Sequence, residues 1–496
     1  MPHNAAEKRE CVMNSFENTV LKYFAEISQI PHGSGNTDEI CGYCVSFAEA
    51  HGLECVRDEY NNIIIYKEAS DGCEGAPPVI IQGHLDMVCE KDADCAIDFE
   101  HDGLDLCRDG DFLYARGTTL GGDDGIAVAY ALAILADDDI PHPPLEAVFT
   151  SDEETGMTGA LGLDFSKLKG RTVLNLDSED EGIFTVGCAG GKTDVQTLPI
   201  ERENFSGQSF EVSVSGLSGG HSGVEIGCGR ANAITAAARI LRFLCRDFDL
   251  RLIEFCGGTK DNAIPVSAVF SAAVCPEKID EVKDAAERLG EKLRCEFSAT
   301  DPKLEICFSE GESGKFRVFS SESLSSALLL LRLNQNGVIS MSRDIEGFVQ
   351  TSANLAIAVC CEESLQLHIS HRSMSSFELE DCADKTSALC EALGGSVHVC
   401  GAYPPWEPNK NSEISALCGA EYRRMFGKEP TVSAIHAGLE CGIFSAHTGN
   451  ILDCISFGPN IFDIHTTKER ISISSAKRVF DFIKEVLRVL SEKKYF

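Results

Sequence analysis

Pro78-Val79-Ile80-Ile81-Gln82-Gly83-His84-Leu85-Asp86 opens on a proline, runs through β-branched residues and ends on a histidine and an aspartate. An apolar run of this length, bounded by proline and glycine, reads as a buried strand. His84 and Asp86 lie just past it, two positions apart, so in extended backbone they project to one side. Working outward, short apolar runs at 62–66, 145–149 and 172–176 alternate with helical patterns at 16–27, 38–50 and 126–136. This alternation predicts an α/β fold: a mainly parallel sheet with helices on both faces. In such sheets ligands sit beyond the carboxyl ends of strands, where His84-Leu85-Asp86, Asp152-Glu153-Glu154 and Asp177 fall.

From about Gly191 the texture changes. Strand-like alternation at 210–215, 268–274 and 304–308 is interleaved with helical patterns at 230–244 and 282–294, and a second cluster follows over 337–393. That pattern predicts one or two α+β sandwiches, 191–402, inserted as a lid domain into a first domain of 1–190 and 403–496. Helices are expected at 414–426 and 474–490. No internal repeat is evident.

Composition narrows the partners. A chain of 496 residues is too long for one ordinary core. Its 43 Lys+Arg against 78 Asp+Glu give a net charge of −35, which repels phosphate backbones and anionic membranes. Nucleic acid and membrane are therefore not expected partners. The 23 Cys are scattered. The pair Cys41-Gly42-Tyr43-Cys44 has no second pair to complete a zinc site, so two thiols near a helix core are expected. The first residues lack an apolar leader segment, and no run approaches ~18 apolar residues. A reducing cytoplasm is the expected compartment.

The acidic segments carry the chemistry. A ligating histidine usually donates its other ring N–H to a carboxylate, which Asp86 can offer His84. Gly121-Gly122-Asp123-Asp124-Gly125 reads either as a helix N-cap or as a turn exposing both oxygens of a bridging carboxylate. A non-proline cis bond is expected after Asp123. Asp152-Glu153-Glu154 is either a solvated acidic turn or a pair in which one carboxylate binds metal and its neighbour acts as general base. Asp177 ends a strand, and His465 is one of 13 His. Jointly, His84, the Gly122-Asp123-Asp124-Gly125 turn, the Asp152-Glu153-Glu154 run, Asp177 and His465 can supply two histidines and three carboxylates, a ligand set for two divalent metals sharing one bridge. Zinc is preferred for such a mixed set, and manganese or cobalt fit the same ligands. The readings left are a hydrolase and, from another class, a catalytically silent metal-binding protein. Glu153 beside Glu154 favours the hydrolase, since metal storage needs no base.

These segments, with Leu217-Ser218-Gly219-Gly220-His221-Ser222-Gly223, Tyr403-Pro404-Pro405-Trp406-Glu407-Pro408-Asn409 and Ala437-Gly438-Leu439-Glu440-Cys441-Gly442, extend over essentially the whole chain. The chain resembles the co-catalytic zinc metallopeptidases, a family of aminoacylases, carboxypeptidase G-type enzymes and dipeptidases, and within it the aminoacyl-histidine (Xaa-His, carnosinase-like) dipeptidases. The resemblance implies that His84, Asp123 and Asp177 hold one zinc, and Asp123, Glu154 and His465 the other. It further implies that Asp86 orients His84, Glu153 is the general base and His221 stabilises the oxyanion. Asn262, Arg372 and Gly438 would take the substrate carboxylate, for which a planar guanidinium is suited. At the last ligand, Asp463-Ile464-His465-Thr466-Thr467-Lys468-Glu469 departs from the His-Ser-Pro-Asp-Glu run of relatives. A small peptide is the implied substrate, with an aminoacylase, tripeptidase or other deacylase as the alternative within the family. Monomer or homodimer is left open, as is whether His221 acts in its own chain or a partner's.

Overall fold

Val79–His84, the strand read first from the sequence, is buried along its whole length in a computed structural model that describes residues 15–493. The expectation about the extreme N-terminus lies outside the described residues. Two compact units are present, one drawn from Met1–Val186, Pro408–Ala434 and Leu439–Phe496, the other from Gly187–Glu407 and Ile435–Gly438. The short return of 435–438 to the second unit has no counterpart in the expected boundaries.

In the first unit the main sheet has the order Glu54–Arg57, Ile63–Lys67, Leu145–Thr150, Val79–His84, Thr172–Asn175, Asp453–Ser456, Ile183–Cys188, Thr431–Ile435. Its centre, from Leu145–Thr150 to Asp453–Ser456, is parallel. The flanking pairs Glu54–Arg57 with Ile63–Lys67, Ile63–Lys67 with Leu145–Thr150, and Asp453–Ser456 with Ile183–Cys188 are antiparallel. The sheet is thus mixed, with its parallel part confined to the centre. The connection from Arg57 to Ile63 is a short hairpin, which only antiparallel strands permit.

Gly122–Leu135 is apolar on every side, as a helix buried all round must be, and it packs on Ser15–Ile27, Val79–His84 and Ile473–Ser491. Gly125 allows the close approach of Phe24, whose ring would lie 3.3 Å from a Cβ there. The C-terminal helix docks through Phe480, stacked on Tyr130 at 5.8 Å, while Tyr130 Oη donates to the Ala476 carbonyl at 2.9 Å. Cys41 and Cys44 are fully buried on Asp38–Ala50. A small second sheet, Ile461–Phe462, Arg470–Ser472, Phe112–Ala115, Leu106–Asp109, binds the C-terminal segment to the N-terminal part of the same unit.

The second unit is an antiparallel sheet against which Ala233–Asp247, Ile279–Glu296, Ser321–Leu333 and Ser376–Ala392 bury apolar faces. Arg202–Ser215 and Glu305–Phe319 are longer than their alternating segments suggest. The added length includes Ser309 to Lys315, exposed on both sides and so without the period-two pattern that betrays a strand. Among the described residues no helix is long and apolar enough to cross a membrane.

Candidate functional site

Three adjacent parallel strands end together, and each delivers acidic or histidine groups from its carboxyl end. His84 is in register with Thr150, and Gln82 with Asn175. His84 with Asp86, Glu153 with Glu154, and Asp177 therefore emerge on one edge of the sheet. Asp123 joins them from the kinked start of Gly122–Leu135, where the Asp123–Asp124 peptide bond is cis. Gly83 has no room for a side chain, because a Cβ would meet Asp124 Oδ2 at 2.5 Å. His465 arrives on the loop between Ile461–Phe462 and Arg470–Ser472, in the left-handed region at φ 60°.

Asp123 stands between the two histidines. Its Oδ1 is 3.0 Å from His84 Nε2 and its Oδ2 is 3.2 Å from His465 Nε2. Asp177 Oδ1 lies 3.9 Å from His84 Nε2, and Glu154 Oε1 lies 2.9 Å from His465 Nε2. Ligand atoms of His84, Asp123 and Asp177 cluster within 4.8 Å of one another, as do those of Asp123, Glu154 and His465. The two clusters share Asp123.

Asp86 acts differently from the expected carboxylate partner. His84 Nδ1 is 2.9 Å from the main-chain carbonyl of Asp86 and 3.5 Å from its carboxylate. With the proton on Nδ1, Nε2 keeps a lone pair for a metal. The carboxylate accepts from Ser34 Oγ at 2.7 Å and from the N–H groups of Glu153 and Glu154 at 3.0 and 3.3 Å. One residue so sets both the histidine and the acidic turn.

The electrostatics call for cations. Burial drives the carboxyls of Asp177 and Glu153 well above the usual range, neighbouring carboxylates add to it, and His84 opposes it. Burial also raises Glu154, against its bond from His465. Asp123 is held low despite burial by its bonds to His465 and His84. The same bonds, to Asp123 and Glu154, raise His465 to about 11. Buried like charges at such spacing are stable only when protonated or neutralised by cations. The donor set of carboxylate oxygen and imidazole nitrogen is one that two divalent ions would fit.

Two supporting residues were not read from the sequence. Glu469 accepts from the N–H groups of Leu120, Gly121, Gly122 and Asp123 at 2.8, 3.3, 2.8 and 3.4 Å, tying the C-terminal loop to the turn that carries Asp123. Glu440, fully buried and pushed up to about 7 by burial, accepts from Thr150 Oγ1 at 2.6 Å and from Gln82 Nε2. Both stand in quoted motifs, but nothing local signals that their carboxylates turn inward.

In the second unit, His221 Nδ1 accepts from the N–H groups of Gly223 and Val224, both at 3.2 Å. That fixes the neutral tautomer with the hydrogen on Nε2, the form that can donate. Its loop is held by Asn262, whose carbonyl accepts from Ser222 N–H at 2.8 Å. Arg372 is buried, with Nη1 donating to Tyr403 Oη at 2.8 Å. Gly438 is half-buried, two residues beyond His436.

Asp301 anchors the His221 loop by accepting from Ser218 and Ala231 N–H, both at 2.8 Å. Burial opposes its ionisation, but those bonds outweigh it and the carboxyl is held below its usual range. Its contribution to stability is therefore full above about pH 4 and is lost as pH falls through the lower folded value. Asp301→Asn is expected to cost about 1–3 kcal/mol at neutral pH. In thermal unfolding the gap between variant and wild type should close in acid. A gap that widens in acid would refute the assignment.

Residues 80–489 match the profile of Peptidase family M20/M25/M40. The chain is 36% identical over 472 residues to the cytosol non-specific dipeptidase of Escherichia coli K12, covering 95% of this chain and 97% of that one. It is similar in structure to an aminoacylhistidine dipeptidase from Vibrio alginolyticus, with a TM-score of 0.86, 34% identity, and coverage of 96% and 97%. A tripeptidase from Staphylococcus aureus shares the fold, with a TM-score of 0.56, 16% identity, and coverage of 96% and 99%. Family match and full-length identity together make this chain a member of peptidase family M20/M25/M40.

Proposed function

We propose that this protein is a metal-dependent dipeptidase that hydrolyses the amide bond of small dipeptides, with Xaa-His dipeptides as the preferred class. The observation that carries the reading is Asp123 between His84 and His465, flanked by Asp177 and Glu154, with the carboxylate of Glu153 beside them. We assign His84, Asp123 and Asp177 to one divalent ion and Asp123, Glu154 and His465 to the other, zinc being preferred. Bound there, such a pair acidifies water and polarises a carbonyl. Glu153 takes the proton of the attacking water and returns it to the leaving amine. His221 donates from Nε2 to the developing oxyanion. Arg372, Asn262 and Gly438 receive the substrate carboxylate. The working compartment is the cytoplasm.

The test is a substrate panel run with metal analysis. Two divalent ions per chain are expected, with turnover of Xaa-His dipeptides above other dipeptides, tripeptides and N-acyl amino acids. Preference for N-acyl amino acids would replace the dipeptidase reading with an aminoacylase one. Bound metal without turnover of any amide would favour the silent binding protein.

A further inference from the structure

Two buried nitrogens in the second unit, Nε of Arg372 and Nδ1 of His436, have no partner among the described residues. The side chains are 9% and 4% exposed, so solvent does little to satisfy either. A buried polar atom left unpaired is costly, and two on neighbouring side chains ask for a reason.

Ser352 makes them neighbours. It lies opposite Arg372 in the register of Val349–Cys360 with Ser364–Ser373, and its Oγ is 2.8 Å from His436 Nε2. The His436 ring also meets Phe348 edge-on at 6.1 Å. Its carbonyl stands 2.3 Å from where a Cβ on Gly223 would be, and the His221 ring packs against that same point. The imidazole is neutral, pushed down to about 3 by burial, with the charge of the Arg372 guanidinium adding to the effect. When Ser352 donates to Nε2, the ring hydrogen sits on Nδ1. His436 Nδ1 and Arg372 Nε are then two unpartnered donors on side chains that both neighbour Ser352, one of them charged, a pair suited to the two oxygens of a carboxylate.

We infer that His436, held by Ser352, is a specificity residue that binds the C-terminal carboxylate of the substrate together with Arg372. The inference rests on the dipeptidase reading and deepens it. A neutral donor adds a directed hydrogen bond without a second full charge, so product carboxylate can still leave.

The experiment compares full-length wild type, His436→Ala, His436→Gln and Ser352→Ala on Ala-His and on its C-terminal amide. The amide is read as substrate or, where it is not turned over, as competitive inhibitor. His436→Ala is expected to raise KM for the free acid roughly 10- to 100-fold, with kcat near wild type and the constant for the amide unchanged. His436→Gln should recover part of the loss, and Ser352→Ala should show the same selectivity in weaker form. Equal losses on acid and amide, or a fall in kcat at constant KM, would overturn the assignment. If His436→Ala fails to fold, the acid-to-amide ratio of Ser352→Ala decides by the same criterion. Wild type inactive on every dipeptide would overturn the dipeptidase reading itself, whereas active wild type with unselective variants overturns only the role of His436.

Discussion

Glu153→Gln is expected to lower kcat by about 10²- to 10⁴-fold while the metal content of the protein stays at the wild-type level. The Glu153 N–H is anchored on Asp86, as is that of Glu154, so the turn holds its shape when the side chain changes to an amide of equal size. Burial raises the Glu153 carboxyl well above the usual range, and Glu154, Glu440 and Asp123 add to it against His84. A carboxylate of raised proton affinity is suited to take a proton from water and to give it up again. Steady-state kinetics with metal analysis checks both halves. Near-normal turnover would send the proton elsewhere. Loss of a metal would make Glu153 a ligand instead, an arrangement open to it because its oxygen also clusters with His84 and Glu154.

Glu469→Ala is expected to cost about 3 kcal/mol of stability and to weaken metal binding about 10- to 100-fold. It removes the acceptor shared by N–H groups from Leu120 to Asp123, leaving buried donors at the turn that aims the Asp123 carboxylate. The same bonds hold the His465 loop against that turn, so Asp123 and His465 loosen together. Thermal unfolding and competitive metal titration measure the two effects. Lowered stability with unchanged metal affinity would confine Glu469 to a structural role.

The legible parts of the site share a physical signature. His84, the Glu153-Glu154 pair and Asp177 follow apolar runs, and a polar group directly past a buried strand has a fixed place at the sheet edge. The glycines around Asp123 mark a backbone with no room for side chains, as Gly83 and Gly122 do beside Asp124 and Ile471. His465 had no such marker. It comes from a loop whose position depends on pairing between Arg470–Ser472 and Phe112–Ala115, contacts that join distant parts of the chain. Asp86 was recognised as a partner of His84, but its hold on the acidic turn depends on two strands ending side by side.

The sequence by itself determined the alternation of strand and helix, the inserted second unit's α+β character, and the inventory of histidine and carboxylate groups in the acidic segments. Periodicity and motif order report local burial and local backbone, and those are properties of neighbours in the chain. Only the tertiary structure decided that the sheet is parallel at its centre and antiparallel beside it, and that Asp123 stands between His84 and His465. It also decided that Glu469 and Glu440 turn inward, and that 435–438 belongs to the second unit and sets His436 against Ser352. Each of these is a long-range contact whose energy comes from burial and hydrogen bonding between remote segments, and no local pattern encodes it.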